Sequence, residues 1–223
     1  MNDKELVANA ALDFVKNNTI IGLGTGSTAN FFIEGLAKKI KEENFDIKVV
    51  ASSTVSQIHA NKAGLEYISM DQVTNIDLYV DGADEITTDL VVLKGRGYDL
   101  IKEKLLAKMS ENFIVIGDKS KLVSRIGDNF PIPLEVSPTG WNITKNLIEK
   151  YSNSCVLRKN TTGDAFAITS YGNLVLDCSF EYEKIENLEN LLSNTPGVFE
   201  HGIFYNIATK AMIADNGVIS ILN

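Results

Sequence analysis

Hydrophobic residues in this chain recur at helical spacing, then in short unbroken runs, and the two patterns alternate. Between residues 3 and 17, Leu6, Ala10 and Phe14 share one helical face and predict a first helix. Residues 19–23 read as a short buried strand, followed by a glycine-rich turn at 24–28. Phe31, Phe32, Leu36 and Ile40 line a second helix, 47–51 is a second strand, and 55–63 is a third helix closed by Gly64. Strands at 76–80 and 90–93, a helix at 98–109 and a strand at 113–116 follow. Strands alternating with helices predict an α/β fold with a parallel, right-handed sheet.

The pattern changes after Gly127, where Pro131 and Pro133 break the chain. A strand at 134–136, a helix near 141–151, strands near 154–158, 165–169 and 174–177, and a helix near 185–192 come next, before a turn at Pro196-Gly197. This βαββαβ-like order predicts a small α+β insert of roughly 75 residues. Residues 211–214 and 217–222 read as a hairpin around Asn216-Gly217 that returns to the first sheet. The expected division is a main domain of residues 1–128 plus 205–223 and a smaller one of residues 129–204.

Composition narrows the function classes. The 223 residues are 44% hydrophobic and 22% charged, as in an ordinary globular protein, and the net charge of −8 argues against general binding to nucleic acid or anionic membranes. The start, Met1-Asn2-Asp3-Lys4-Glu5, lacks the apolar core of a signal peptide, and no apolar run approaches a membrane span, so the chain reads as cytoplasmic. In that compartment Cys155 and Cys178 are expected to be reduced packing residues. Two histidines and no Cys-x-x-Cys give no zinc signature.

The chemistry-bearing residues sit at predicted strand ends, where open α/β sheets bind ligands. In Gly22-Leu23-Gly24-Thr25-Gly26-Ser27-Thr28 the glycines permit close backbone approach and the helix start favours an anion; the plainer reading is a capped turn. The loop lacks the lysine of a P-loop. It has Ser27 where a dinucleotide fingerprint wants its third glycine, and no acid ends the next strand, so a small phosphate ester fits better than a nucleotide. Asp81-Gly82-Ala83-Asp84 ends the run 76–80 with two carboxylates that can move hydroxyl protons, hold a metal with help from Glu85 and Asp89, or simply make a turn. Lys94-Gly95-Arg96-Gly97 places a cation where an oxyanion could develop. Glu103 lies on a largely apolar helix face with Leu100, Leu106 and Ala107. There it is either a desolvated general base with a raised pKa or a solvated acid beside Lys102, Lys104 or Lys108. Lys121 is a turn lysine or a phosphate contact.

In their order and separation these motifs resemble the type A ribose-5-phosphate isomerases over nearly the whole chain. The marks are Gly24-Thr25-Gly26-Ser27-Thr28, Asp81-Gly82-Ala83-Asp84-Glu85, and a Lys-Gly-rich loop followed by Lys102-Glu103-Lys104. The resemblance implies a Rossmann-like main domain, a ferredoxin-like smaller one, a dimer or tetramer, no metal or cofactor, and conversion of D-ribose 5-phosphate to D-ribulose 5-phosphate in the non-oxidative pentose phosphate pathway. It also implies that Glu103 is the proton-shuttling base, and that Thr25 to Thr28, Asp81 to Asp84, Lys94 to Gly97 and Lys121 bind the substrate.

On that footing Asp81, with Asp84, is expected to open the furanose, Lys94 to hold the enediolate, and the 25–28 loop, Lys121 and Lys4 to hold the phosphate. Arg96 stands where the family carries the second glycine of a triplet, and either points away or adds a cation to the site; Tyr98 is expected to narrow the pocket. The competing readings are another aldose or amino-sugar phosphate isomerase, a non-catalytic sugar-phosphate sensor, and an NAD-dependent dehydrogenase, the last disfavoured by Ser27 and the missing strand-end acid.

Overall fold

The computed structural model describes residues 2–223. In chain order its elements are α1 (Asp3–Ala11), β1 (Thr19–Leu23), α2 (Ser27–Glu43), β2 (Ile47–Ala51), α3 (Thr54–Lys62), β3 (Glu66–Tyr67), β4 (Ile76–Asp81), β5 (Glu85–Ile86), β6 (Val92–Leu93), α4 (Leu100–Met109) and β7 (Ser110–Asp118). Then come β8 (Ile132–Val136), α5 (Trp141–Ile148), β9 (Ser154–Leu157), β10 (Leu174–Ser179), α6 (Ile185–Ser193), β11 (Val198–His201), β12 (Ile203–Phe204), β13 (Lys210–Asp215) and β14 (Val218–Leu222).

Seven strands form the main sheet in the order β14-β13-β7-β4-β1-β2-β3, parallel throughout except for the terminal hairpin β13–β14. Its central strands are runs of apolar residues because both faces are covered. Helices α1 and α2 bury Val7, Ala11, Phe32, Ile33 and Leu36 in one core with Ile21, Leu23 and Val80. On the other side, Leu106 and Ala107 of α4 share a core with Tyr79, Phe113 and Val115. From β1 the chain winds outward to β2 and β3; from β4 it winds the other way to β7 and β13. The carboxyl ends of β1 and β4 therefore flank the topological switch point, where a crevice opens. Gly24 is required there. Its N–H donates to Val80 O at 2.9 Å, and a Cβ would fall 2.1 Å from Asp81 Oδ1.

A second sheet, β11-β8-β10-β9, is antiparallel throughout. With α5 and α6 it makes a ferredoxin-like βαββαβ unit, whose core holds Leu134, Val136, Ile148, Leu176, Leu188 and Leu192. A small third sheet, β12-β6-β5, is also antiparallel.

Several expectations need correction. The run 90–93 does not join the parallel sheet: Leu90 turns at φ +62°, and Val92–Leu93 doubles back on β5. Residues 165–169 form no strand, because β9 already takes that edge of β10; only the isolated bridges Lys159↔Phe166 and Ile168↔Leu174 remain. The fourth strand of the small sheet is β11 instead. The first helix stops at Ala11 and continues as a tight turn over 12–14. Cys155 and Cys178 are buried as expected but joined in a disulfide, because the β9–β10 register sets them directly opposite each other.

The metal alternative for Glu85 and Asp89 also gives way to structure. Asp89 accepts from Thr87 Oγ1 at 2.5 Å. Fully buried Glu85 accepts from the N–H groups of Gly127 and Asn129 at 2.6 Å and of Phe130 at 2.9 Å, pinning the loop that leads into β8. Glu85→Ala strands three such donors, and the expected loss of stability is about 3 kcal/mol. Urea unfolding of the two proteins measures it, and a loss well under 1 kcal/mol would contradict this role.

Candidate active site

Four strand-end segments, α4 and the start of α1 meet at the switch point around one cavity of about 260 Å³. Lys4, Thr25, Gly26, Ser27, Thr28, Gly82, Ala83, Asp84, Lys94, Gly95, Arg96, Gly97, Glu103 and Lys121 all line it. Asp81 is not among these residues. It is fully buried beneath the wall, where Tyr79 Oη, the Thr25 N–H at 3.0 Å, the Gly82 N–H at 2.7 Å and Lys94 Nζ at 2.9 Å converge on its carboxylate.

Lys94 follows β6 and is buried. Its backbone N–H donates to Gly202 O at 2.9 Å, and its ammonium to Gly82 O at 2.9 Å. The same ammonium lies 3.4 Å from Glu103 Oε2. Burial disfavours this ammonium, but Asp81 first and then Glu103 outweigh it, so its pKa is raised.

Glu103 sits in the first turn of α4 with only 3% of its surface exposed, which decides against a solvated acid. Lys104, one of its suggested partners, points away to Glu200 and His201. The Glu103 carboxyl is pushed up to about 8, chiefly by burial and with Asp81 and Asp84 adding to it, against the opposing pull of Lys94. Its Oε2 is buried and lacks a hydrogen bond, because the contact with Lys94 is outside hydrogen-bond geometry. A carboxyl oxygen at a cavity wall whose only close partner is an ammonium at 3.4 Å is placed to take a proton from something bound there. Asp84 completes the group: burial raises its pKa, against the opposing pull of Lys94 and the Arg96 N–H, which lies 3.3 Å from its Oδ2.

The other end of the cavity suits an anion. Gly26 precedes the 17-residue helix α2, no side chain caps it, and no acid lies in its first turn. Lys4 Nζ bonds Ser27 Oγ at 3.0 Å, and Lys121 also lines the cavity. The Thr25 hydroxyl is held within a cluster of Ser52, Ser53 and Ser56 at 2.7–2.9 Å, so it shapes the loop.

Arg96 reaches the edge of the cavity and stacks its guanidinium 4.2 Å from the Phe130 ring centre. Tyr98 does not narrow the cavity; it lines a neighbouring cleft with Arg158, whose Nη1 bonds Gly95 O at 2.8 Å. Sequence reasoning missed Tyr79, Gly202 and Arg158, which act on the site from behind. Nothing local to them signals this, because their partners are supplied by the fold. Among the described residues no group of three or more His, Cys, Asp or Glu could hold a metal ion.

Folded Glu103 keeps its proton up to about pH 8, whereas the unfolded chain releases it in the ordinary carboxylate range. The stability contributed by the protonated form is therefore full in acid and is lost as pH rises through 8. From pH 5 to pH 9 the unsubstituted chain is expected to lose on the order of 3 kcal/mol relative to Glu103→Gln, which has no such titration. Parallel urea titrations measure the difference, and a pH-independent one would contradict it.

Comparison with known proteins agrees with this geometry. The family model described as ribose 5-phosphate isomerase A (phosphoriboisomerase A) matches residues 48–217. Ribose-5-phosphate isomerase A 2 of Oceanobacillus iheyensis is 34% identical, covering 99% of this chain and 98% of that protein. Ribose-5-phosphate isomerase A of Thermococcus kodakarensis is 39% identical, covering 94% and 93%. A D-ribose-5-phosphate isomerase solved in complex with phospho-erythronic acid superposes with a TM-score of 0.95 at 34% identity, covering 100% of both chains. The enzyme from Methanocaldococcus jannaschii gives a TM-score of 0.92 at 33% identity, covering 99% of this chain and 97% of that one. With motifs, fold and full-length relatives in agreement, the chain belongs to the ribose 5-phosphate isomerase A family.

Proposed function

We propose that this isomerase interconverts D-ribose 5-phosphate and D-ribulose 5-phosphate through an enediolate, with Glu103 as general base. The observation that carries this reading is the buried Glu103 carboxyl paired with Lys94 in one cavity that an uncapped helix start, Lys4 and Lys121 also line.

The phosphate sits against the Ser27 and Thr28 end of α2 with Lys4 and Lys121, and its binding energy orients the sugar. Asp84 faces the cavity and moves the proton of the anomeric hydroxyl as the ring opens; Asp81, behind the wall, holds Lys94 in its charged state. Glu103 takes the proton from C2. The C2–H electron pair forms the C1–C2 double bond, and the charge moves onto the oxygen at C1, which faces the Lys94 ammonium. Glu103 then returns its proton to C1 as the proton of the C2 hydroxyl passes to the oxygen at C1, which leaves the ketone at C2 and a hydroxyl at C1. A carboxyl with a pKa near 8 can make both transfers at neutral pH.

The same reading assigns catalysis to residues 1–128 with 205–223 and a supporting role to residues 129–204. It places the chain in the cytoplasm, with no metal cofactor, as a homodimer or homotetramer. No helix among the described residues is long and apolar enough to cross a membrane.

Ribose 5-phosphate turnover in D₂O with EDTA, followed by proton NMR, tests the reaction. Ribulose 5-phosphate is expected from the unsubstituted chain, with kcat lowered at least ~10³-fold in Glu103→Gln and ~10²–10³-fold in Lys94→Met. No turnover sinks the substrate assignment, and full activity in Glu103→Gln sinks the mechanism. Lys121→Ala is expected to raise KM roughly 10-fold with a smaller effect on kcat, as one charged phosphate contact is lost; an effect on kcat alone would move Lys121 out of the phosphate end. Light scattering on the purified chain gives the subunit number, and a monomer would contradict the proposed assembly.

A further inference from the structure

Lys104 is buried and takes no part in the cavity, yet it follows Glu103 directly on α4. Its side chain leaves the helix about 100° away from that of Glu103. Its ammonium lies 2.5 Å from Glu200 Oε1, 2.6 Å from the carbonyl oxygen of His201 and 3.2 Å from His201 Nδ1. Glu200 Oε1 also accepts the His201 N–H at 2.8 Å. The next residue, Gly202, accepts the backbone N–H of Lys94 at 2.9 Å and donates its own to Pro133 O at 2.8 Å. Phe204 places its ring centre 5.0 Å from Lys104 Nζ and 5.9 Å from Lys94 Nζ.

Residues 200–204 thus grip Lys94 by its backbone and α4 by Lys104. This matters because Glu103 and Lys94, 3.4 Å apart, are not held together by a direct hydrogen bond. Their separation is set by the frame behind them, and a displacement of about 1 Å in such a frame can cost on the order of 10²-fold in rate.

We propose that Lys104 is a positioning residue. By binding Glu200 and the His201 carbonyl, it sets the distance between Glu103 and the Lys94 ammonium. This rests on the isomerase reading above. Glu103 itself faces Lys94 after β6, Asp81 and Tyr79 on β4, and Asp84 beyond it. Lys104 faces Glu200 and His201 on β11, Glu189 on α6, and Lys108 on its own helix. Burial lowers the Lys104 pKa to about 8, with Glu200 opposing, so its charge depends on that partner.

The test compares the unsubstituted chain with Lys104→Met, Lys104→Arg and Glu200→Ala. It measures kcat and KM for ribose 5-phosphate, inhibition by inorganic phosphate, and the pH profile of kcat/KM. In Lys104→Met kcat is expected to fall roughly 10- to 100-fold, while KM and phosphate inhibition stay within about 3-fold. The acid limb moves to higher pH, because a looser Lys94 pulls the Glu103 pKa down less. Lys104→Arg recovers part of the loss, and Glu200→Ala shows the same pattern more weakly. Glu200 is 22% exposed, so that variant decides the matter alone if Lys104→Met does not fold. Unchanged kcat overturns the inference. So does a loss of kcat and phosphate binding together with the limb unmoved, the mark of a scaffold role only. No turnover by the unsubstituted chain overturns the isomerase reading, and this inference with it.

Discussion

One buried ammonium between two carboxylates sets the conditions for the rest of the structure. Lys94 Nζ is 2.9 Å from Asp81 and 3.4 Å from Glu103, and all three groups are almost wholly removed from water. Burying charges in this way is costly unless each is compensated. Asp81 is compensated by four converging donors, and it is the main influence that keeps Lys94 charged. Glu103 is compensated by the ammonium alone. With Asp81 and Asp84 opposing that pull, its carboxyl is poised about where a proton can be both taken and returned.

The fold supplies this arrangement through its topology. The β1–β4 switch point brings Gly24 against Asp81, the β5–β6 hairpin carries Lys94 over the same point, and α4 delivers Glu103 from the side. The start of α2 lines the same cavity, so the anion cradle and the proton-transfer pair share one chamber. The three-stranded sheet links the charge centre to the ferredoxin-like unit, because Lys94 and Gly202 pair where the two sheets meet.

Much of this was legible in the sequence. Runs such as 19–23 and 76–80 are long and apolar enough to be strands, and the motifs after them had to lie at strand ends. Glu103 stood on an apolar helix face, but spacing alone left its solvation open; the partners of its neighbour Lys104 settle it, and they lie 96 and 97 residues away. Which of two aspartates reaches the cavity also escaped. Asp81 and Asp84 look equivalent as letters, but Asp81 is the last residue of β4 and is enclosed by its neighbours, whereas Asp84 lies beyond the turn. The run 90–93 misled because an apolar stretch carries no label for its partner strand. Two-residue strands such as β5 and β12 have no periodicity to detect. The pairing of Cys155 with Cys178 depends on a register that their separation of 23 residues does not disclose.

The central claim is that Lys94 sets the ionisation of a buried Glu103. The most direct test is a carbon-13 NMR titration of the glutamate side-chain carboxyls, with Glu103 assigned by comparison with Glu103→Gln. A midpoint near 8 that rises further in Lys94→Met is the result this account predicts. A midpoint in the ordinary carboxylate range, unmoved by Lys94→Met, would contradict it.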